Sequence, residues 1–196
     1  MIRRLLLTAA VVSLTACNAP EPAQPVPGTP SGEQPAPTVP AGDRLTANGF
    51  GPLRIGMTKA EVEVALGPDS DPNSVGGPDP ASCDMFRPTR APEGLLVMLE
   101  GGVLTSVWAT RNEALETDRG LNIGDSADEV RRAYGPVVVS EPHKYVEAPA
   151  EYLTIWSTTD HASPAARGVK YEIGSDGRIQ SIAVGGPSIE YVEGCA

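Results

Sequence analysis

GPLRIGMTKAEVEVALGP, residues 51–68, recurs 68 positions further on as RGLNIGDSADEVRRAYGP, residues 119–136. Eight of the eighteen aligned positions are identical, and they are residue types that shape backbone and core. They are Leu53/Leu121, Ile55/Ile123, Gly56/Gly124, Glu61/Glu129, Val62/Val130, Ala65/Ala133, Gly67/Gly135 and Pro68/Pro136. Chance is a poor explanation, so the sequence predicts two copies of one folding unit.

Each copy predicts a short helix with its own start and stop signals. Thr58 with Glu61, and Ser126 with Glu129, have the spacing of a capping box, in which hydroxyl and carboxylate each satisfy a free backbone N–H. The apolar faces and the glycine-proline stops then follow, as Val62, Ala65, Leu66, Gly67 and Pro68, and as Val130, Ala133, Tyr134, Gly135 and Pro136. Helices this short need packing to persist.

Downstream of each helix the apolar pattern becomes alternating and predicts β-hairpins. In the first copy, residues 95–100 and 103–110 flank Gly101-Gly102, and in the second, residues 168–173 and 178–184 flank residues 174–177. Tyr145-Val146 and residues 152–156 are further strand candidates, with Met85-Phe86 as a weaker one. The expected fold class is α+β: two tandem repeats, each a short helical segment followed by an antiparallel β-sheet.

The N-terminus has the pattern of an export signal. Arg3 and Arg4 precede an apolar run that ends in Leu14-Thr15-Ala16-Cys17, and this run is far shorter than the roughly 20 residues of a membrane-spanning helix. The ending resembles the bacterial lipobox, which implies lipidation of Cys17 and attachment to the membrane through its acyl chains. An ordinary secretory signal with an incidental cysteine is the alternative. In enteric bacteria, the absence of aspartate after the cysteine favours the outer membrane, and Asn18 stands there.

These features divide the chain into four parts. Residues 1–16 are the expected signal peptide, and residues 17–46 are the lipidated cysteine and a proline-rich, disordered tether. Repeat 1 is expected over residues 47–117 and repeat 2 over residues 118–196.

The charge of the chain bears on its partners. Removal of residues 1–16 takes away two of the 15 basic residues and none of the 25 acidic ones, so the formal net charge changes from −10 to −12. Nucleic acid is therefore excluded as an expected partner, and attachment to anionic lipid has to come from the acyl chains. An acidic surface favours cations or basic partner surfaces.

The cysteine count agrees with export. Once Cys17 is lipidated, Cys83 and Cys195 remain as one pair, and we expect them to form a disulfide. Two separate buried thiols are the alternative.

Several short motifs could carry chemistry, but none forms a complete site. Asp160-His161-Ala162-Ser163 lacks the glycine pattern of a nucleophile elbow, and His143 has no expected ligand cluster. Asp69-Ser70-Asp71-Pro72-Asn73 matches the first three oxygen ligands of a calcium-binding loop, but Ser74 and Pro80 occupy positions where that loop requires glycine and glutamate. We therefore expect no catalytic residue, no metal and no cofactor.

Aromatic residues on the predicted strands are the candidate binding face. Tyr152 and Trp156 have the same strand parity and therefore share a face, and Trp108 lies on a strand of the first copy. They would anchor a protein or glycan partner if exposed and would fill the core if buried.

The repeated motif carries a resemblance to known families. Its order is isoleucine-glycine, a hydroxyl cap, Glu-Val and a final glycine, followed by strands, and it resembles the BamE-like outer-membrane lipoprotein fold. The tandem arrangement resembles the β-lactamase inhibitor protein. These resemblances imply a helper in outer-membrane assembly or a concave sheet that grips another protein. The chain departs from the first by having two copies and from the second by having an anchor, so no partner-binding residue is transferred.

The expected function is a lipid-anchored, non-catalytic protein-binding module of the bacterial cell envelope, facing the periplasm from the outer membrane. Its expected partner is an envelope protein, and it would assist envelope assembly or maintenance. The alternatives are an inhibitor of, or an enzyme acting on, periplasmic or cell-wall substrates, and a structural protein that holds peptidoglycan near the membrane.

Overall fold

The computed structural model describes residues 42–74 and 76–195. The predicted signal peptide, Cys17 and the tether as far as residue 41 lie outside the described residues. Across the two described stretches, no helix combines the length and the apolar character that a membrane span requires.

The described chain contains two short α-helices and nine β-strands. In chain order they are β1 (Leu45–Thr46), β2 (Gly49–Phe50), α1 (Lys59–Leu66), β3 (Cys83–Phe86), β4 (Leu95–Glu100), β5 (Val103–Thr110), α2 (Ala127–Tyr134), β6 (Val139–Pro142), β7 (Glu151–Trp156), β8 (Gly168–Ile173) and β9 (Ile179–Gly185). Short 3-10 helices follow α2 at Gly135–Val137 and β9 at Pro187–Glu190.

Seven strands form one antiparallel sheet in the order β3-β4-β5-β9-β8-β7-β6, while β1 and β2 form a separate small hairpin. The predicted α+β class, with short helices and a large antiparallel sheet, is confirmed. Strands β5 and β9 pair at the centre, with Val107 opposite Val184. The sheet therefore continues without a break across the middle of the described chain.

Both helices begin at the predicted capping boxes. The backbone N–H of Thr58 donates to Glu61 Oε2 at 2.8 Å, and that of Ser126 donates to Glu129 Oε2 at 2.8 Å. The two hydroxyl oxygens accept the return bonds from the glutamate N–H groups at 3.4 and 3.3 Å. Each pair satisfies donors that a helix start otherwise leaves free.

Equivalent backbone hydrogen bonds in the two halves of the chain attach the start of each helix to a hairpin. Gly56 N–H donates to Leu104 O at 2.8 Å, and Leu104 N–H donates to Met57 O at 2.7 Å. At the second helix, Gly124 N–H donates to Ile179 O at 2.9 Å, and Ile179 N–H donates to Asp125 O at 2.8 Å. Each helix is thus fixed to the beginning of one central strand.

The hydrophobic core lies between the helices and one face of the sheet. It is formed by alternate strand residues together with helix and loop residues, among them Leu53, Val62, Leu95, Val97, Val107, Val130, Leu153, Tyr171, Ile182 and Val184. Strand β4 is buried on its other face as well, at Leu96 and Met98. Such two-sided burial requires a cover on the face opposite the core.

Two local expectations are corrected by the structure. The tether was expected to extend to residue 46, but Leu45 is fully buried in the core and pairs with Phe50 in the small hairpin. Tyr145-Val146 was a strand candidate, but these residues lie in the loop after β6. That strand ends at Pro142, whose ring removes a backbone donor.

Candidate functional site

The three aromatic residues of the predicted binding face lie on the sheet face opposite the core. Tyr152 and Trp156 share strand β7 and its parity, as expected. Trp108 lies opposite Ala183, Ala183 opposite Lys170, and Lys170 opposite Thr154, which stands between Tyr152 and Trp156 in the alternation. All three side chains therefore start from the same face.

Residues 187–195, here called the strap, cross this face. Ile189 is fully buried, and a side chain at Gly168 would come within 2.8 Å of its Cδ1. At the other end, Gly194 lies against the Met85 side chain. The last backbone-to-backbone hydrogen bond to the sheet runs from Gly186 N–H to Thr105 O at 2.9 Å. Within the described chain, residues 187–195 make no backbone-to-backbone hydrogen bond to the sheet. Side chains and a disulfide therefore hold the strap.

The disulfide joins Cys83 on edge strand β3 to Cys195 of the strap, across a sequence separation of 112 residues, with Cα atoms 5.5 Å apart. The predicted pairing is confirmed. The bond fastens the strap to the far edge of the sheet, because β3 is the outermost strand on that side.

Tyr152 is buried, so it does not meet the condition of exposure under which it would act as an anchor. Its side chain is only 5% exposed because the loop after β6 and the strap cover it. The imidazole of His143 stacks on its ring with centroids 4.7 Å apart, and Lys170 Nζ lies 4.3 Å from the ring centroid. Strand parity identifies the face of a side chain but not what lies over that face.

A polar network surrounds the buried ring. His143 Nε2 lies 3.0 Å from Glu172 Oε1, and Ser181 Oγ donates to Glu172 Oε2 at 2.6 Å. Lys170 Nζ donates to the Glu190 backbone oxygen at 3.2 Å and lies 3.8 Å from its carboxylate. Every contact of this network either joins two strands or joins the sheet to its cover, which indicates a positioning role for the network.

Burial shifts the pKa of Lys170 and of the Tyr152 ring that it faces. It lowers the pKa of Lys170, because a desolvated ammonium loses stability, although the carboxylates of Glu190 and Glu172 oppose the shift. Burial likewise raises the pKa of Tyr152, while the backbone N–H of Lys144 opposes it. The Tyr152 hydroxyl has no hydrogen bond of normal geometry.

Little space remains between the strap and the sheet beside Tyr152. A cavity of about 10 Å³ is enclosed by Trp108, Tyr152, Lys170, Tyr191 and neighbouring residues. That volume is roughly what one water molecule needs. No cleft for a substrate lies beside Tyr152; a cavity of about 360 Å³ lies further along the strap, between Pro187, Ser188 and Tyr191 and strand β5.

The exposed aromatic residues on this side come from the cover. Tyr145 is 60% exposed and Tyr191 is 45% exposed. The Tyr145 hydroxyl donates to Glu193 of the strap, and the Tyr191 hydroxyl donates to Glu100 Oε1 at 3.0 Å. The Glu100 carboxylate, with burial, raises the pKa of Tyr191. We call Tyr145, Tyr191, Glu100 and Glu193 the acidic tyrosine surface.

The remaining candidate residues are engaged locally. Trp156 is half-buried and stacks on His161 with centroids 5.0 Å apart, and Trp108 is half-buried and donates from Nε1 to Ser106 Oγ at 2.8 Å. The Ser163 hydroxyl accepts the Ala165 N–H at 3.3 Å. Asp69 and Asp71 accept backbone N–H groups two residues ahead. Among residues 42–74 and 76–195, no group of three or more histidine, cysteine or acidic side chains is placed to hold a metal ion.

Sequence reasoning missed Tyr145 and Tyr191 as surface residues. Both lie outside the predicted hairpins, in segments with no alternating pattern. The one sequence feature that could have drawn attention to them is the concentration of all five tyrosines of the chain in its second half.

No family model matches this chain, and no curated protein matches it. Among solved structures, it is similar to a DUF4309 family protein from Bacillus subtilis, with 16% identity and a TM-score of 0.45, over 74% of this chain and 88% of that one. It is also similar to an extracellular protein containing an SCP domain from Bacillus anthracis, with 8% identity, a TM-score of 0.41 and coverage of 67% and 44%. A cysteine-rich secretory protein from Staphylococcus aureus shows 11% identity, a TM-score of 0.38 and the same coverage. The chain thus spans less than half the length of the latter two proteins.

Proposed function

We propose that this protein is a lipid-anchored, non-catalytic protein-binding module of the bacterial cell envelope. Cys17 would carry the lipid, the proline-rich segment would provide reach, and the folded part would face the periplasm from the outer membrane. The observation that carries the proposal is the acidic tyrosine surface, where exposed tyrosines lie over a sheet face that is filled around Tyr152.

We also propose that residues 47–117 and 118–196 are tandem repeats. The matched capping boxes and the matched hydrogen bonds from Gly56 and Gly124 support this. In the sheet, the final strands of the two halves, β5 and β9, lie side by side. Duplication would produce one wide face from two narrow ones.

The chemistry of the surface favours a basic protein partner. Tyrosine offers a large, rigid contact area at low entropic cost, and such residues commonly anchor interfaces. Glu193 and Glu100 stand at the tyrosine hydroxyls, and Glu190 of the strap is also partly exposed. Lys144 Nζ already lies 5.0 Å from the Tyr145 ring centroid, so the ring accepts a cation in this arrangement. A lysine- or arginine-bearing surface of an envelope protein would complement it.

The test is capture of a partner from crosslinked native membranes with the full lipidated chain. We expect a Tyr145→Ala/Tyr191→Ala variant to lose the partner, because it removes both exposed rings. The matched control is Val64→Ser, since Val64 is 82% exposed on helix α1, away from the strap. A partner retained equally by both variants would contradict the proposed surface, and no partner above background would contradict the proposed function.

The anchor has a separate test. Cys17→Ser should abolish metabolic labelling with a palmitate analogue and release the protein from the membrane fraction. Asn18→Ser serves as the control, because it changes the neighbouring residue and keeps both Cys17 and the Cys83–Cys195 disulfide. Unchanged membrane association of Cys17→Ser would contradict lipid anchoring.

A further inference from the structure

We infer that His143 is a proton-operated latch, and that its protonation frees the loop that carries Tyr145 and weakens the acidic tyrosine surface. The effect on binding rests on the proposed function. The protonation step itself involves no partner and is tested separately.

The contacts of His143 assign a neutral imidazole with its proton on Nε2. Its side chain is 8% exposed, and Nδ1 accepts the backbone N–H of Tyr145 at 3.1 Å and that of Val146 at 3.2 Å. A nitrogen that accepts two N–H groups carries no proton. The hydrogen therefore resides on Nε2, which donates to Glu172 Oε1 at 3.0 Å.

A second proton can bind only at Nδ1. There it would face two backbone donors, and both hydrogen bonds would be lost. The hydrogen bond from Nε2 to the Glu172 carboxylate remains, and it becomes stronger when the ring is cationic. The imidazolium therefore stays on the sheet, and the backbone at Tyr145 and Val146 moves away.

Charged and titratable groups surround the His143 ring on the elements that pack against it. Glu172 is the carboxylate in direct contact, and its second oxygen is already occupied by Ser181. The other groups on this side of these elements are Glu141 on β6, Tyr152 on β7, Lys170 on β8, Lys144, Tyr145 and Glu147 in the same loop, and two strap residues: Glu190, which lies at Lys170, and Glu193, which accepts from the Tyr145 hydroxyl. Lys170 opposes a positive charge on the ring, whereas the carboxylates favour it. The geometry at Nδ1 decides which contacts break, whatever the balance of these charges.

The latch connects to the surface through one residue. The backbone N–H of Tyr145 donates to His143 Nδ1, and the Tyr145 hydroxyl donates to Glu193 of the strap. Release of the loop would withdraw an exposed ring from the surface and free one attachment of the strap.

The first experiment follows the full chain in lipid nanodiscs by NMR between pH 8 and 5. We expect protection of the Tyr145 and Val146 amides against hydrogen exchange, corrected for intrinsic rates, to fall about tenfold or more as the pH is lowered. His161→Ala is the matched control and should behave like the wild type. His143→Asn should stay protected throughout, because its amide oxygen replaces Nδ1 as acceptor and does not titrate. Protection that is unchanged in the wild type across this pH range would overturn the latch.

The second experiment measures affinity for the captured partner at the same pH values. We expect binding to weaken about tenfold on acidification for the wild type and His161→Ala, and to stay constant for His143→Asn. Loss of amide protection with constant affinity would overturn the link to the surface. Failure to find any partner would contradict the proposed function, while the latch would still be decided by the exchange data of the wild type.

Discussion

Reduction of the Cys83–Cys195 disulfide tests how this fold obtains its stability. The bond closes a loop with a sequence separation of 112 residues. In the chain-entropy model, a loop of this length restrains the unfolded chain by roughly 16 cal/mol/K, or about 4.8 kcal/mol at 25 °C. Domains of this size are commonly stable by only about 5–15 kcal/mol, so the bond would account for a large share of the total.

The native contacts of the strap add little to that loss. Within the described chain, the strap makes no backbone-to-backbone hydrogen bond to the sheet, so reduction removes a covalent restraint and leaves contacts that involve side chains, such as that of Ile189. The expected effect therefore resides mainly in the unfolded state. It should appear as a lower free energy of unfolding together with a larger urea m-value, because the reduced unfolded chain expands.

The assay is urea unfolding followed by tryptophan fluorescence, on oxidised wild type, reduced wild type and the Cys83→Ser/Cys195→Ser variant. Reduced wild type is the matched control for the polarity that serine introduces at the buried Cys195. Both forms should lose about 4–5 kcal/mol. A loss below about 1 kcal/mol with an unchanged m-value would refute the loop-closure reasoning.

Three further perturbations have defined outcomes. Thr58→Ala and Ser126→Ala should each lower the free energy of unfolding by about 1 kcal/mol in urea titrations, because each removes a helix cap. The backbone N–H and then the hydroxyl of Thr58 lower the pKa of Glu61 below its ordinary 4.5, so the contribution of this cap is complete above pH 4.5 and is lost as pH falls through the lower folded value; a pH series should show this loss for wild type and not for Glu61→Gln. Val62→Ala should cost about 2 kcal/mol because its side chain is fully buried in the core, and an equal loss from an exposed control such as Val64→Ala would contradict that assignment. Lys170→Met should change the free energy of unfolding at pH 7, and the difference from wild type should become smaller toward pH 10.5. Burial lowers the pKa of Lys170, so with rising pH the folded state loses this proton before the unfolded state does. A difference in the free energy of unfolding that does not depend on pH would contradict this prediction.

Local signals in the sequence were sufficient for the helices, the hairpins and the disulfide. The capping pairs at Thr58 and Ser126 act within four residues, so their geometry follows from spacing alone. The Cys83–Cys195 pair followed from counting the cysteines of a chain that carries an expected export signal. Pairing of β5 with β9 was not predicted, because it joins two distant segments that carry no signal for each other.

The site was less predictable because it depends on what covers the sheet. Parity placed Tyr152 and Trp156 on the correct shared face, but nothing periodic marks residues 187–195 as the cover of that face. Tyr145 resembled a strand residue by its β-propensity, yet Pro142 ends the preceding strand and His143 binds the following backbone amides. Tertiary contacts of this kind override local preference.

The central pairing of β5 and β9 makes a nicked form of this protein conceivable. The segment between β5 and α2, residues 111–126, joins the two halves of the chain, while the sheet and the Cys83–Cys195 bond join them independently. A single cleavage there would leave two polypeptides that remain covalently linked and share one sheet. The molecule is therefore suited to fragment complementation, in which each polypeptide supplies the strand edge that the other lacks.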